Sequence, residues 1–546
     1  MKVRDAFYEL LRSHGIDTVF GNPGSNELPL LRDFPSDLRY VLALQEGAAI
    51  GMADGYALAT GRPALVNLHA AAGTGNAMGN LTNSQSGHVP VVVTSGQQAR
   101  RYTALNAMLT NVDATKLAEP LVKWSAEPLR PQDVPQALSQ GILLAAAAPA
   151  GPVYISLPLD DWDQDADAEA LAQLTARTVQ GAPVVSGAAL GALRDRLAAA
   201  ASPALVVGPG IDDASGWDGA VRLAESLAAP VFVAPSPSRC PFPTRHPNYR
   251  GVLPSSVPDV ASRFEGHDLV VAFGAAVFRY HEYGEGDYLP SGVEFRAVTS
   301  DPDEAARAPF GRILIGDPSD AVSRLADALP SSSRVPPQAV DDCPQPDETG
   351  PAFSAEAIVD ALGAAKDDDT VIANEWTSVD TTWDRFDISR PRSLLFPASG
   401  GLGWGLPAAI GLQLGDPSRR VLALLGDGAL HYTVSALWTA ARYRVPVVFV
   451  VARNEEYGAL KKFARVMDAP DVPGLDLPDM DVTAIAAGYG IPATRVSTLA
   501  ELTGEVREGL AADGPRLIEV PEQRLADNGP PHRLAEIADY VTEVSA

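Results

Sequence analysis

Short β-branched and aliphatic runs recur along the chain and alternate with Ala- and Leu-rich stretches of helical period. Such runs stand at 18–20, 40–44, 64–68, 91–94, 204–207, 231–234, 269–273, 421–425 and 445–451. Strands that alternate with helices predict parallel sheets covered on both faces, the doubly wound arrangement. The rhythm breaks twice. Residues 178–189 are rich in small residues, Gly and Pro, and 331–353 reads SSSRVPPQAVDDCPQPDETGPAF, which sustains neither period and predicts an exposed linker. The expectation is an α/β protein of three doubly wound parallel-sheet domains. Their predicted spans are 1–178, 185–330 and 353–546, with 331–352 as linker.

In such sheets ligands sit beyond the carboxyl ends of the strands, so polar residues at strand ends are where chemistry is expected. The run at 421–425 leads into Gly426-Asp427-Gly428 and the run at 445–451 into Arg453-Asn454, with a helix predicted over 435–443 between them. This βαβ unit makes the two strands parallel and, most often, adjacent. Neighbouring strands lie roughly 4.8 Å apart, so Asp427 and Asn454 can share one hard cation such as magnesium. The glycines permit close backbone approach, and helix N–H groups there suit an anion such as a metal-bridged diphosphate. Three further ends occur in the first domain: 18–20 leads to Gly21-Asn22-Pro23-Gly24-Ser25, 40–44 to Gln45-Glu46, and 64–68 to His69. If these strands share a sheet, a hydroxyl, a carboxylate and an imidazole face one cleft.

Length and charge narrow the function. A chain of 546 residues has room for several domains at ~150 residues each. A formal net charge of −26 argues against nucleic acid or an anionic membrane as partner, because phosphate backbones need a basic surface. No apolar run has the length of a membrane span, the start of the chain lacks a secretory apolar region, and the two cysteines are too few for a disulfide framework. A cytoplasmic setting is expected.

The segments FGNPGSNELP, LALQEGAAIGMADGYA, NLHAAAGTGNAMGN, CPFPTRHP, AAVFRYHEY, SGGLGWGLPAAIG, GDGALHYTVSALWTAA and YGALKKFA resemble, over essentially the whole chain, the thiamine diphosphate-dependent 2-keto acid decarboxylase family, and within it the benzoylformate decarboxylases. The resemblance implies a pyrimidine-binding, a middle and a diphosphate-binding domain. It also implies thiamine diphosphate with Mg2+ or Ca2+ as cofactors and a homotetramer with each active site between two subunits. Glu46 matches the glutamate that supports the cofactor's aminopyrimidine, and its neighbours Leu42, Leu44, Ala48 and Ile50 predict partial burial. Ser25 matches the serine that bonds the substrate carboxylate, and His69 and His281 the two proton-transfer histidines. Asp427 and Asn454 match the side-chain metal ligands and Glu456 the position that offers its main-chain carbonyl. Gly426, Gly428 and Tyr457 match cofactor contacts. Leu402 matches the residue beneath the cofactor, and Gly401 the carbonyl near its amino group. Met108, Leu109, Thr377, Phe396, Ala459, Leu460, Phe463 and Leu475, with Ser25, match a pocket wide and apolar enough for a phenyl ring.

The implied reaction is non-oxidative decarboxylation of an aromatic 2-keto acid, benzoylformate to benzaldehyde and CO2. Some residues depart from the pattern. Arg453 stands where a second asparagine is common and Glu456 where threonine is, while Trp376 and His431 are larger than expected. Two alternatives remain: a carboligase or acetolactate synthase-like enzyme in which the same activated carbon attacks a second carbonyl, and a catalytically silent cofactor-binding protein. Some carboligases carry a flavin in the middle domain, for which Gly208-Pro209-Gly210 is the only, weak hint. Read singly, Glu46 is a helix-start residue, Ser25 a turn residue and His281 a surface histidine between Tyr280 and Tyr283.

Overall fold

The computed structural model describes residues 1–179, 181–339, 351–377, 382–469 and 471–524. The first sheet comprises β1 (Thr18–Gly21), β2 (Arg39–Leu42), β3 (Ala64–Leu68), β4 (Val91–Gln97), β5 (Trp124–Ala126) and β6 (Val153–Pro158) in the order β2-β1-β3-β4-β6-β5. The second comprises β7 (Pro203–Val207), β8 (Val231–Val233), β9 (Tyr249–Val252), β10 (Leu269–Phe273), β11 (Glu294–Thr299) and β12 (Arg312–Ile315), in the order β12-β11-β10-β7-β8-β9. The third holds β13 (Val371–Glu375), β14 (Leu394–Leu395), β15 (Val421–Gly426), β16 (Val447–Arg453), β17 (Ala493–Arg495) and β18 (Arg516–Pro521) in the order β14-β13-β15-β16-β18-β17. Every pairing between these strands is parallel. The first and third sheets therefore share one strand order, a topological likeness that sequence periodicity does not carry.

The central strands are buried along their length, save Gly426 at the end of β15, which is why they read as continuous apolar runs. The 331–339 stretch forms no helix or strand, while 340–350 of the expected linker and 525–546 of the expected third domain lie outside the described residues. The middle domain opens with a helix at Gly187–Ala199, capped by Ser186, whose first turn begins at the end of the stretch 178–189 expected to be irregular. Gly208 and Gly210 are accounted for by packing: a Cβ on Gly210 would lie 2.7 Å from the Cα of Gly274, so the ends of β7 and β10 touch backbone to backbone. Among the described residues no helix is long and apolar enough to cross a membrane.

The first and third domains meet through two helices, Glu46–Thr60 and Gly405–Gly415, both glycine-rich and almost wholly buried. Close approach demands those glycines, since a Cβ on Gly55 would lie 2.1 Å from the Ala408 carbonyl and one on Gly411 1.9 Å from that of Met52. Gln45 starts the first of these helices, its side chain accepting the Ala48 N–H, and Gly61 ends it at φ +67°. Across the seam Asp54 accepts hydrogen bonds from Trp404 Nε1 at 2.8 Å and Ser84 Oγ at 2.7 Å. Burial nevertheless pushes the Asp54 carboxyl up to about 6.

Candidate active site

The first sheet brings its three strand ends together. Because β1 pairs with both β2 and β3, residues beyond each carboxyl end line one edge. Glu46 begins its helix 7 % exposed, buried as its apolar neighbours predict although Leu44 itself is exposed. Its oxygens accept from Asn22 Nδ2 at 3.2 Å and Asn76 Nδ2 at 3.0 Å. Two neutral amides hold the carboxylate in place without an opposing charge. His69 caps the helix Ala70–Ser86. Its Nδ1 lies 2.8 Å from Oε2 of Glu27, a residue 1 % exposed whose Oε2 also accepts the Gly24 N–H at 2.8 Å. The second oxygen of Glu27 is buried without a partner among the described residues. A carboxylate that takes an Nδ1 proton fixes the tautomer and leaves Nε2 free for chemistry. Ser25 is exposed in the turn between Gly24 and Glu27.

Glu27, Asn22 and Asn76 were not singled out from the sequence. Glu27 and Asn22 lie inside the FGNPGSNELP segment, but their direction toward His69 and Glu46 depends on how β1, β2 and β3 are ordered.

The third sheet carries a second cluster of the expected site residues. β15 and β16 are neighbours in register Gly426↔Ala452, so Asp427 and Asn454 emerge side by side. Asp427 Oδ2 accepts the Glu455 N–H at 2.8 Å, its Oδ1 accepts the Gly428 N–H at 2.8 Å, and Asn454 Oδ1 accepts the Glu456 N–H at 3.1 Å. A short helix runs from Asp427 to Leu430, and the helix expected over 435–443 spans Ala436–Arg442. Burial pushes the Asp427 carboxyl above its ordinary range. A divalent cation would reverse that shift. One carboxylate, one amide oxygen and one main-chain carbonyl form a set of hard oxygen donors, which fits Mg2+ or Ca2+. Gly428 is close to Tyr457, whose Cε1 would lie 2.7 Å from an added Cβ.

The departures form a brace around this turn. Arg453 pairs with Glu455, and Arg524 reaches the other Glu455 oxygen at 2.6 Å. Lys461 Nζ bridges Glu456 Oε2 and Asp476 Oδ1, each at 2.6 Å. Glu455 adopts φ +60°, a left-handed conformation that these contacts and its N–H bond to Asp427 hold in place. Trp376 turns its indole toward Glu522, with Nε1 3.0 Å from Oε2. His431 ends the Asp427–Leu430 helix with its Nε2 unpartnered among the described residues, and burial pushes its pKa down.

The loop 399–405 is hydrogen-bonded to both the third sheet and the first domain. Glu375, fully buried at the end of β13, accepts the N–H groups of Gly403, Trp404 and Gly405 at 2.6, 3.0 and 2.9 Å. Burial outweighs those bonds and pushes its carboxyl up to about 7. From the first domain, Asn83 donates to the Gly401 carbonyl at 2.9 Å and Asn80 to that of Gly403 at 2.8 Å. Leu402 sits between them, partly exposed. Among the expected pocket residues, Met108, Leu109 and Leu460 are exposed, and Leu475 is buried with its carbonyl accepting the Tyr457 N–H at 2.9 Å. Ala459 and Thr377 are partly buried. Phe463 meets His281 edge-on, with ring centroids 4.6 Å apart. Phe396 instead packs near Trp383 at 6.3 Å.

Family models match in chain order: the thiamine pyrophosphate enzyme N-terminal TPP binding domain over residues 1–117, the central domain over 190–325 and the C-terminal TPP binding domain over 377–520. The chain is 52% identical over 524 residues to a benzoylformate decarboxylase of Pseudomonas aeruginosa, covering 96% of this chain and 99% of that protein. A thiamine diphosphate-dependent 4-hydroxybenzoylformate decarboxylase of Rhodococcus jostii has a similar structure, with TM-score 0.94, 48% identity and coverage of 96% of this chain and 99% of that one. Benzoylformate decarboxylase from Polynucleobacter necessarius matches with TM-score 0.92 and 37% identity, again over 96% and 99% of the two chains. The chain thus belongs to the thiamine diphosphate-dependent 2-keto acid decarboxylase family, whose N-terminal, central and C-terminal domains are its three parallel sheets.

Proposed function

We propose that this enzyme decarboxylates an aryl 2-keto acid, benzoylformate or a ring-substituted form of it, to the aldehyde and CO2. The observation that carries the reading to an aryl substrate is the His281–Phe463 contact, which sets a titratable ring against an aromatic wall 4.6 Å away. The relatives named above act on benzoylformate and 4-hydroxybenzoylformate, which supports the same substrate class.

Thiamine diphosphate, when bound, supplies a nucleophilic carbon and an electron sink for loss of CO2. The chain's residues do the rest. Asp427, Asn454 and the Glu456 carbonyl would hold a Mg2+ or Ca2+ ion, and Gly426, Gly428 and Tyr457 would line the approach of the diphosphate. Glu46, steadied by Asn22 and Asn76, would hydrogen-bond the pyrimidine ring of the cofactor and support its acid–base chemistry. Ser25 bonds the substrate carboxylate. His69, with its tautomer set by Glu27, and His281 move protons at the reacting carbon and oxygen. Leu402 and Gly401 would shape the cofactor's seat, and Met108, Leu109, Thr377, Ala459, Leu460, Phe463 and Leu475 would wall the acyl group, while Phe396 packs against Trp383.

A tetramer with sites between subunits belongs to this reading. Leu105, Met108 and Val112 on one domain and Leu460, Val466 and Met467 on another are exposed large apolar residues, which a partner surface would cover. A cytoplasmic setting is supported by Cys240, a buried free thiol. CO2 release from benzoylformate, 4-hydroxybenzoylformate, phenylpyruvate and pyruvate, with thiamine diphosphate and Mg2+, tests the reading. The aryl glyoxylates should be turned over fastest; preference for pyruvate would overturn it.

A further inference from the structure

Trp376 stands one residue beyond β13 and Glu522 one residue beyond β18, both remote from Asn454 in sequence. The three side chains nevertheless meet. Glu522 Oε2 accepts from Trp376 Nε1 at 3.0 Å and from Asn454 Nδ2 at 3.0 Å. All three are buried, with exposures of 1 % for Trp376, 7 % for Asn454 and 8 % for Glu522. On its far side Asn454 Oδ1 accepts the Glu456 N–H at 3.1 Å, beside the turn that also binds Asp427.

The donor and acceptor inventory gives this contact a direction. An indole nitrogen only donates, and the carboxyl oxygen it meets accepts. An asparagine amide is nearly symmetric in shape but has one donor end and one acceptor end. With an acceptor fixed at Glu522, the NH2 group is drawn there and the oxygen is turned to the Glu456 N–H, on the turn whose preceding N–H binds Asp427. A hard cation needs that oxygen, whereas the reversed amide would present N–H groups to it. We propose that Glu522, braced by Trp376, is a positioning residue that locks the Asn454 amide in the orientation a divalent cation requires. The inference rests on Asp427 and Asn454 being the side-chain metal ligands. It also gives the bulk of Trp376 a purpose, because a smaller residue would leave Glu522 without its second donor.

The test is Mn2+ binding to the full-length apoprotein in the presence of thiamine diphosphate, followed by loss of the free-ion EPR signal, with no turnover required. Glu522→Leu removes the acceptor at similar volume and should weaken Mn2+ binding about 10- to 100-fold, the usual effect of losing an outer partner of a ligand. Glu522→Gln keeps an acceptor oxygen and should bind close to the parent. Trp376→Phe, which removes only the indole N–H, should give an intermediate loss, and it keeps the proposal testable if the Leu variant does not fold. Asp427→Ala separates two failures. If it binds Mn2+ like the parent, the metal assignment falls. If it loses the ion while Glu522→Leu keeps parental affinity, Glu522 has no positioning role. A Gln variant as weak as the Leu variant would also overturn the proposal, since charge rather than acceptor placement would then matter.

Discussion

Replacing Gly24 by Ala is a one-carbon perturbation whose consequence can be worked from the geometry. The added Cβ would lie 2.2 Å from His69 Nδ1, 2.3 Å from Cγ and 2.4 Å from Cε1, whereas ordinary contact begins at 3.4 Å. The backbone at Gly24 is not among the glycines of positive φ, so alanine meets a steric rather than a conformational obstacle. The imidazole must retreat by about 1 Å, which breaks its 2.8 Å contact with Glu27. Hydrogen bonds to charged groups are worth about 1.5–3 kcal/mol, and a misplacement of about 1 Å costs about 10²-fold in rate. We therefore expect kcat/KM for benzoylformate to fall about 10- to 100-fold. Affinity for thiamine diphosphate and Mg2+ should hold, because Asp427 and Asn454 sit on another sheet. Initial rates of CO2 release paired with a cofactor titration make the measurement. Parental activity would refute the placement of His69, and a parallel loss of cofactor affinity would mean general damage to the fold.

Glu46→Gln should lower turnover by roughly 10² to 10⁴ while cofactor affinity changes much less, and an undiminished rate would remove Glu46 from the mechanism. Chelation by EDTA should abolish CO2 release, with Mg2+ or Ca2+ restoring it; activity that survives exhaustive chelation would remove the metal from the reading. Glu375 titrates in the unfolded chain near 4.5 and in the folded protein at about 7. The folded state therefore holds the proton to higher pH, so its contribution to stability falls as pH rises from about 4.5 to 7, by on the order of 3 kcal/mol. The parent's melting temperature minus that of the Glu375→Gln apoprotein should fall from pH 5 to pH 8, whichever of the two is the more stable at pH 5, and a flat or rising value of that signed difference would contradict the assigned burial.

Much of this architecture was legible in one dimension. Continuous apolar runs alternating with stretches of helical period placed strands and helices, and parallel βαβ logic put polar residues at strand ends. Asp427 and Asn454 were legible as a pair because they end consecutive strands of one βαβ unit, which pair directly in the sheet. Ser25, Glu46 and His69 were legible as a group only on the condition that β2, β1 and β3 are neighbours, which they are. The resemblance carried His281 and the pocket residues, which periodicity alone would assign to surface or core.

Local pattern fixes which residues occupy the faces and ends of each element. It does not fix which ends confront one another, since that follows from strand order and side-chain direction. Hence Glu27 and His69, 42 positions apart, and Asn454 and Glu522, 68 apart, became partners only when the sheets were assembled. The same holds for His281 against Phe463, a contact between residues of the middle and C-terminal domains. The sequence determined the elements and the chemical groups at their tips. The tertiary structure decided which carboxylate steadies which imidazole or amide, because a hydrogen bond depends on ångström-scale distance and direction that no spacing along the chain encodes.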